Sequence, residues 1–226
     1  AGADTAHAPA QPGKWRLGMP GVVTVVWALL PTLKVNEALL PLPLEAVLLL
    51  SGLQTAVLLA LAVALGVWLA PRVGLRAPAV SSWMAGQPAG PALRAQLVPG
   101  LWGGVAGAAW LWLLSRLAPA ALQPSDPANA MPLAVKLLYG GITEELLMRW
   151  GVMTLLLWLG WRLLRRGHGQ PRNGLVATAV LFSAVLFAVG HLPAAQAMAG
   201  ELTMPVVAFV LVGNTVFGLL AGGLFA

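Results

Sequence analysis

The sequence predicts an all-α fold, a polytopic transmembrane helix bundle. Of the 226 residues, 59% are hydrophobic and only 9% are charged, a composition typical of integral membrane proteins. Long apolar runs recur along the chain, and short segments rich in proline, glycine and arginine separate them. The net charge of +6 lies mainly in those short segments, without the aromatic-bearing basic stripe of a nucleic-acid surface, so the prediction includes no nucleic-acid partner. Cysteine is absent, which excludes disulfides and thiolate metal sites.

The apolar runs predict about six membrane spans. The predicted spans cover residues 19–33, 44–70, 97–117, 132–161, 174–191 and 204–226. Three regions follow: a disordered N-terminal tail over 1–18, transmembrane helices with an interfacial loop over 19–130, and a C-terminal core over 131–226. The connection that holds Trp83 is rich in proline, glycine and serine, which favours an interfacial loop or a short surface helix.

The distribution of basic residues predicts the orientation of the chain in a cell membrane. Bases cluster in alternate connections, and the positive-inside rule places those connections and the N-terminus in the cytoplasm. These bases are Lys14, Arg16, Arg72, Arg76, Arg94, Arg162, Arg165, Arg166 and Arg172. The abundance of alanine, leucine, glycine, arginine and proline indicates a GC-rich coding sequence and hence a bacterial source.

The fourth predicted span contains the charged residues Glu144, Glu145 and Arg149. An ionised side chain at the centre of a bilayer costs roughly 2.5–3.5 kcal/mol on insertion scales, so such residues need partners and usually mark a functional site. On an α-helix Glu145 and Arg149 are four residues apart, with the acid first, which is the favourable order for an ion pair. This pairing leaves Glu144 free to act as a general acid or base.

The fifth predicted span contains Phe187 and His191, four residues apart and therefore on one face of a helix. At about 1.5 Å per residue, Glu144 and His191 both lie roughly 26 Å from the basic ends of their spans. On adjacent antiparallel helices the carboxylate and the imidazole would be level with each other. We expect them to hold a water between them, 4–7 Å apart by rough hydrogen-bond lengths, and to activate it.

These residues resemble the CAAX prenyl protease and bacteriocin-processing (CPBP) family of intramembrane endopeptidases, which depend on a glutamate and include the type II CAAX endopeptidases. The family motif Glu-Glu-x-x-x-Arg is matched by Glu144, Glu145 and Arg149, and its motif Phe-x-x-x-His by Phe187 and His191. The resemblance begins near residue 133. It implies that 131–226 is the catalytic core, that Glu144 and His191 are catalytic, and that Glu145, Arg149 and Phe187 support them. It implies no metal, and it leaves open which membrane-embedded or membrane-associated peptide is cleaved.

One family motif is missing. The family has a His-x-x-x-Asn motif or a variant of it on a later span, but no histidine follows His191, and Val210 precedes Asn214 by four residues. We therefore expect the natural protein to continue into a seventh span that brings oxyanion-stabilising donors. The 226 residues alone are expected to be an incomplete, inactive core, because the loss of such donors typically lowers the rate about 10²-fold to 10³-fold.

Two other hypotheses explain the charged span. The first is a proton-coupled transporter that uses Glu144 and Glu145, and the second is a catalytically silent membrane scaffold that retains both motifs for structural reasons. Other protease signatures are absent from the sequence: it contains no His-Glu-x-x-His, no Gly-x-Ser-Gly and no Gly-x-Gly-Asp. Membrane peptide hydrolysis is the main prediction, with a peptide substrate and the lipid bilayer as the partners.

Overall fold

The computed structural model describes residues 42–123 and 136–226. Within these ranges the chain forms helices, and no strand occurs. Four helical stretches are long and apolar enough to cross a membrane. They are Leu44–Val73, Gly90–Leu117, Asn173–Ala199 and Met204–Phe225. The predicted all-α membrane bundle is confirmed, whereas the predicted span 19–33 and the tail 1–18 lie outside the described residues.

The helices are numbered in chain order. They are α1 Leu44–Leu69, which continues into a 3-10 turn Ala70–Val73, α2 Pro78–Met84, α3 Gly90–Leu117, α4 over residues 136–164, α5 Asn173–Gly190, α6 Leu192–Ala199 and α7 Met204–Phe225. A further 3-10 turn, Ala120–Leu122, follows α3. Helix α2 confirms the short helix predicted around Trp83.

One predicted span boundary is wrong. Helix α3 begins at Gly90 rather than at residue 97, because Pro91 occupies the first helical turn, where the missing N–H costs nothing. The fifth span, predicted over 174–191, is confirmed to within one residue at each end. Helix α5 ends at Gly190, and the chain turns at His191 into α6, whose first turn contains Pro193. A proline therefore starts a helix in both places.

Helix α4 departs from the α-helical geometry that the sequence predicts. Segments Lys136–Thr143 and Leu146–Met153 are π-helical, and Thr154–Leu164 is α-helical. Two threonine hydroxyls donate to carbonyl oxygens five residues earlier, Thr143 to Leu138 at 3.2 Å and Thr154 to Arg149 at 3.1 Å. These bonds match the i to i+5 pattern of π-helical backbone, which is rare and frequent at functional sites.

The helices pack in the order α3, α7, α5, α4, α1. Helix α7 lies between α3 and α5, and α4 lies between α5 and α1. Two close approaches fix this order. A Cβ on Gly218 would lie 2.8 Å from the Cα of Ala184 on α5, and a Cβ on Gly151 would lie 2.7 Å from the Cβ of Ala62 on α1. The helix backbones meet at these glycines because no side chain separates them.

The spacings Gly100-x-x-x-Gly104 and Gly103-x-x-x-Gly107 on α3 predict close helix packing, and the structure uses one of the two pairs. Gly103 and Gly107 face Leu224 and Phe217 of α7, as the predicted close packing requires. Gly100 and Gly104 face open space within the described part of the chain. One of the two predicted packing pairs of α3 is therefore confirmed, and the pair Gly100 and Gly104 is not.

Candidate active site

The two carboxylates lie in the middle of α4, between its two π-helical segments. Because π-helical backbone bonds residues five apart rather than four, Tyr139, Glu144 and Arg149 come closer to one side of α4 than they would in an α-helix. An α-helix would separate these three residues around its circumference. The carboxylate of Glu144 lies over Gly140, where an added Cβ would be 3.7 Å from Glu144 Oε2. This distance is an ordinary van der Waals contact, so the carboxylate lies directly beside Gly140.

Arg149 is the buried cation of the site. Its Nη1 lies 3.4 Å from Glu145 Oε1, which confirms the predicted pairing. The two partners are not equally buried, because the Arg149 side chain is 3% exposed and that of Glu145 is 35% exposed. Arg149 Nη2 also donates to the carbonyl oxygen of Gly218 at 3.4 Å. Among the described residues, Nε and Nη1 have no hydrogen-bond partner, so the contact between Nη1 and Glu145 is an ion pair without hydrogen-bond geometry.

His191 lies at the bend between α5 and α6, where it ends one helix and begins the next. Its Nδ1 is 2.8 Å from the carbonyl oxygen of Phe187. A carbonyl oxygen can only accept a hydrogen bond, so Nδ1 carries the proton and donates it. In the neutral imidazole the other nitrogen, Nε2, is then an acceptor.

The acceptor nitrogen of His191 faces Glu144. The distance from His191 Nε2 to Glu144 Oε1 is 3.8 Å, with the side chains 34% and 18% exposed, respectively. This confirms that the two residues come together from separate helices, at a distance slightly shorter than predicted. A carboxylate and an unprotonated nitrogen are both acceptors, and one water can donate a hydrogen to each.

Phe187 connects the site residues to one another. Its ring packs edge-on against the imidazole of His191, with centroids 4.5 Å apart, and stacks with Phe217 of α7 at 6.3 Å. The Arg149 guanidinium carbon lies 5.0 Å from the centroid of the same ring, within the range of a cation–π interaction. The predicted contact between Phe187 and His191 is confirmed, and Phe187 is buried.

Two contributions from α7 were not predicted from the sequence. Phe217 supports the ring of Phe187, and the backbone of Gly218 accepts from Arg149. The spacing Gly218-x-x-x-Gly222 predicts only a packing contact for Gly218, because a backbone carbonyl leaves no signal in a sequence. The amide nitrogen of Asn214 does not contact this cluster. It donates to the carbonyl oxygen of Val210 on its own helix at 2.9 Å.

The charges of the cluster do not balance. Glu144 and Glu145 carry two negative charges when ionised, and Arg149 carries one positive charge. Burial makes the excess negative charge costly. Within residues 42–123 and 136–226, no three histidine, aspartate or glutamate side chains form a group that could hold a metal ion. The predicted absence of a metal cofactor stays a prediction.

Comparisons with known proteins agree with these motifs. A protein-family model described as Type II CAAX prenyl endopeptidase Rce1-like matches residues 126–226. Residues 126–226 are therefore similar to the Rce1-like family, and the matched segment is called the Rce1-like segment. No curated protein and no solved structure matches the chain.

The Rce1-like segment contains both motifs and all five residues singled out from the sequence, which are Glu144, Glu145, Arg149, Phe187 and His191. Helices α1 to α3 precede the matched segment. Helix α1 nevertheless contacts the Rce1-like segment through the π-helical part of α4. The four apolar helices make the chain a membrane protein, and residues 126–226 are similar to a family of CAAX-type endopeptidases.

Proposed function

We propose that the chain carries the active site of an intramembrane endopeptidase, with Glu144 as the general base and His191 as the residue that holds the attacking water. The observation that carries this proposal is the 3.8 Å separation of His191 Nε2 from Glu144 Oε1. General bases must lie within hydrogen-bond reach of the proton they remove, directly or through one water. A water beside both atoms satisfies this requirement.

The proposed reaction is hydrolysis of a peptide bond. The water donates one hydrogen to Glu144 and the other to His191 Nε2, so its lone pair is directed away from both groups. As its oxygen attacks the peptide carbonyl carbon, the first proton moves to Glu144 and the carbonyl oxygen becomes an oxyanion. Glu144 then gives this proton to the amide nitrogen, the C–N bond breaks, and an acid and an amine are released. The hydrogen bond from Nδ1 to Phe187 keeps the imidazole in the required tautomer.

Arg149 has a supporting part in this proposal. By pairing with Glu145 at 3.4 Å, it neutralises the neighbouring carboxylate and leaves Glu144 as the group that responds to the water. Removing a charged nucleophile or base from bulk water also strengthens its interactions with fixed groups in the site. Glu145, Arg149 and Phe187 are therefore positioning residues rather than catalytic ones.

The proposed substrate is a peptide held in or against the bilayer. The site lies in α4 and α5, which pack among helices with apolar, membrane-spanning composition, so a peptide anchored in the same membrane reaches it most directly. The description of the matched family, Type II CAAX prenyl endopeptidase, names the kind of substrate that the family cleaves. A lipid-modified C-terminal tail is accordingly the first substrate class to try, beside unmodified transmembrane peptides.

The test is a cleavage assay with the full-length protein in proteoliposomes. Glu144→Gln should lower kcat roughly 10²-fold to 10⁴-fold, as expected for loss of a general base, without lowering the melting temperature. Glu201→Gln removes a carboxylate from the exposed loop before α7 and serves as the matched control with unchanged activity. Proton flux is measured in the same vesicles.

Other outcomes would favour the alternatives. Full activity of Glu144→Gln would overturn the proposed role of this residue. A proton flux that disappears in both Glu144→Gln and Glu145→Gln, without peptide cleavage by the parent, would favour the transporter. A protein that neither cleaves nor transports in its natural full length would favour the scaffold.

A further inference from the structure

One end of the bundle carries a concentration of arginines. The turn after α1 packs against the C-terminal part of α4, and a Cβ on Gly74 would lie 3.1 Å from Gln170 in the α4–α5 loop. Phe225, at the end of α7, packs against the core cluster that contains Ala70. Gly103, in the first half of α3, faces Leu224 near the end of α7. The start of α3 therefore lies at this end of the bundle as well. The arginine end, as we call it, comprises Arg72, Arg76, Arg94, Arg162, Arg165, Arg166 and Arg172.

Acidic groups do not neutralise the arginine end. In the described part of the chain the carboxylates are Glu144 and Glu145 in the site, Glu45 at the start of α1, and Glu201 in the loop before α7. The ion pairs found among these residues involve only the site. All arginines of the arginine end are exposed except Arg165, which is half-buried. This surface therefore carries uncompensated positive charge and attracts anions.

The α4–α5 loop holds several of these arginines in a defined turn. Trp161 Nε1 donates to the carbonyl oxygen of Gly169 at 2.8 Å, and Arg162 Nη1 donates to that of Arg166 at 3.3 Å. Arg166 has φ 50°, in the left-handed region that is uncommon for a residue with a side chain. These contacts fold the loop back onto the end of α4, so the charges are presented together.

The surroundings of the arginine end indicate what kind of anion it meets. Leu163 and Leu164, which lie between Arg162 and Arg165, are 73% and 75% exposed. Trp68 is exposed beside Arg72, whose guanidinium carbon lies 4.6 Å from the ring centroid, and Trp68 pairs with Trp158 at 6.0 Å. Exposed leucines and tryptophans next to arginines suit the boundary between acyl chains and headgroups. A soluble acidic partner would leave these apolar side chains without a favourable environment.

We propose that the arginine end is a binding surface for the phosphate groups of anionic phospholipids. Guanidinium groups bind phosphate oxygens with paired, charge-assisted hydrogen bonds. The adjacent leucines and tryptophans contact the acyl chains of the same lipids. A lipid with net negative charge is selected over a zwitterionic one because the described residues place no carboxylate at the arginine end to pair with a choline or ethanolamine group. Basic pockets at the ends of membrane helices bind anionic headgroups in this way.

The test compares the full-length protein in mixed micelles that contain phosphatidylglycerol or only phosphatidylcholine. Native mass spectrometry measures retained lipid, and thermal unfolding measures stabilisation. The variant is the double substitution Arg76→Gln with Arg172→Gln, whose side chains make no hydrogen bond among the described residues. The control is the double substitution Arg116→Gln with Lys136→Gln, which also removes two positive charges. Arg116 lies at the opposite end of α3, and Lys136 lies at the start of α4.

The expected result is selective retention of phosphatidylglycerol by the parent and the control. The Arg76→Gln and Arg172→Gln variant should bind it roughly tenfold to thirtyfold more weakly, with an unchanged melting temperature in phosphatidylcholine. Equal retention of the two lipids by the parent, or an equal loss in the control, would overturn the proposal. Stabilisation by inorganic phosphate alone to the same extent would identify a free-phosphate site and overturn it as well. If the double variant does not fold, Arg76→Gln and Arg172→Gln are tested singly.

Discussion

Arg149 on α4 and Gly218 on α7 are joined by a hydrogen bond from the guanidinium Nη2 to the glycine carbonyl oxygen, 3.4 Å long. The bond crosses the helix interface at a point where Gly218 also allows α7 to approach the backbone of α5. Arg149 is therefore held from three directions, by Glu145, by the ring of Phe187 and by the backbone of α7. Its guanidinium links the three helices that form the site.

The first prediction concerns the ion pair of Glu145 and Arg149. Glu145→Gln leaves the buried guanidinium without its closest carboxylate, and breaking a buried pair from one side costs about 3–5 kcal/mol. We expect a loss at the lower end of this range, because Glu144 remains nearby. Thermal unfolding of the purified protein in detergent measures it, with the exposed Glu201→Gln as the control for removal of one negative charge. A melting temperature equal to that of the parent would show that Arg149 does not depend on Glu145.

The sequence predicts the pairing of these two residues but not which of them is buried. Spacing along a helix puts Glu145 and Arg149 on neighbouring positions, and it treats both as equally enclosed. The structure shows that the guanidinium is enclosed and the carboxylate reaches a more open surface. This difference depends on α5 and α7, which cover Arg149 through Phe187 and Gly218. Contacts between helices so distant in the sequence have no periodic signal.

The second prediction concerns Phe187 as a positioning residue. Phe187→Leu keeps an apolar side chain in the buried position, so the cost in stability should stay below about 1.5 kcal/mol. The aromatic contact with His191 and the cation–π contact with Arg149 are lost, however. We expect kcat to fall about tenfold or more with little change in KM, because small displacements of catalytic groups strongly reduce rates. Peptide cleavage and thermal unfolding are measured on the same preparations.

Phe182→Leu is the matched control for this experiment. Phe182 lies on the same helix, and its side chain is exposed, so the substitution makes the same chemical change away from the site. Its kcat should equal that of the parent. If Phe187→Leu were as active as Phe182→Leu, the ring would be a packing residue with no influence on His191.

The sequence predicts regular helix geometry well and fails where the geometry is unusual. Helices α1, α5 and α7 begin and end close to the predicted positions, because uninterrupted apolar runs define them. The π-helical segments of α4 were not predicted. Over so few residues, the spacing of apolar residues does not distinguish π-helical from α-helical backbone. The alignment of Tyr139 with Glu144 and Arg149 depends on that backbone, and so it could not be read from residue spacing.

The third prediction concerns the contact of α3 with α7. Trp110 Nε1 donates to the carbonyl oxygen of Gly213 at 2.9 Å. Trp110→Phe keeps an aromatic ring but removes this donor, so it should destabilise the protein by about 1 kcal/mol, the usual net contribution of one hydrogen bond. Trp112→Phe changes an exposed tryptophan of the same helix and should have no measurable effect. Equal melting temperatures for the two variants would contradict a structural role for this bond.

The last prediction concerns the closest contact between two helix backbones in the site. Gly218→Ala would place a Cβ 2.8 Å from the Cα of Ala184, and backbone atoms cannot move away as a flexible side chain can. The two helices must separate, which should cost about 1–3 kcal/mol, as other overpacking substitutions do. The shift also moves the Gly218 carbonyl relative to Arg149, so cleavage should fall with stability.

Gly104→Ala makes the same substitution on α3, where nothing within 4 Å meets the added Cβ. It should leave cleavage unchanged and stabilise its helix by up to about 1 kcal/mol, because alanine has the higher helix propensity. Both variants are compared by thermal unfolding and by peptide cleavage with the full-length protein. If Gly218→Ala matched Gly104→Ala in both measurements, α5 and α7 would have room to separate without disturbing Arg149. The hydrogen bond across that interface would then have no part in holding the site together.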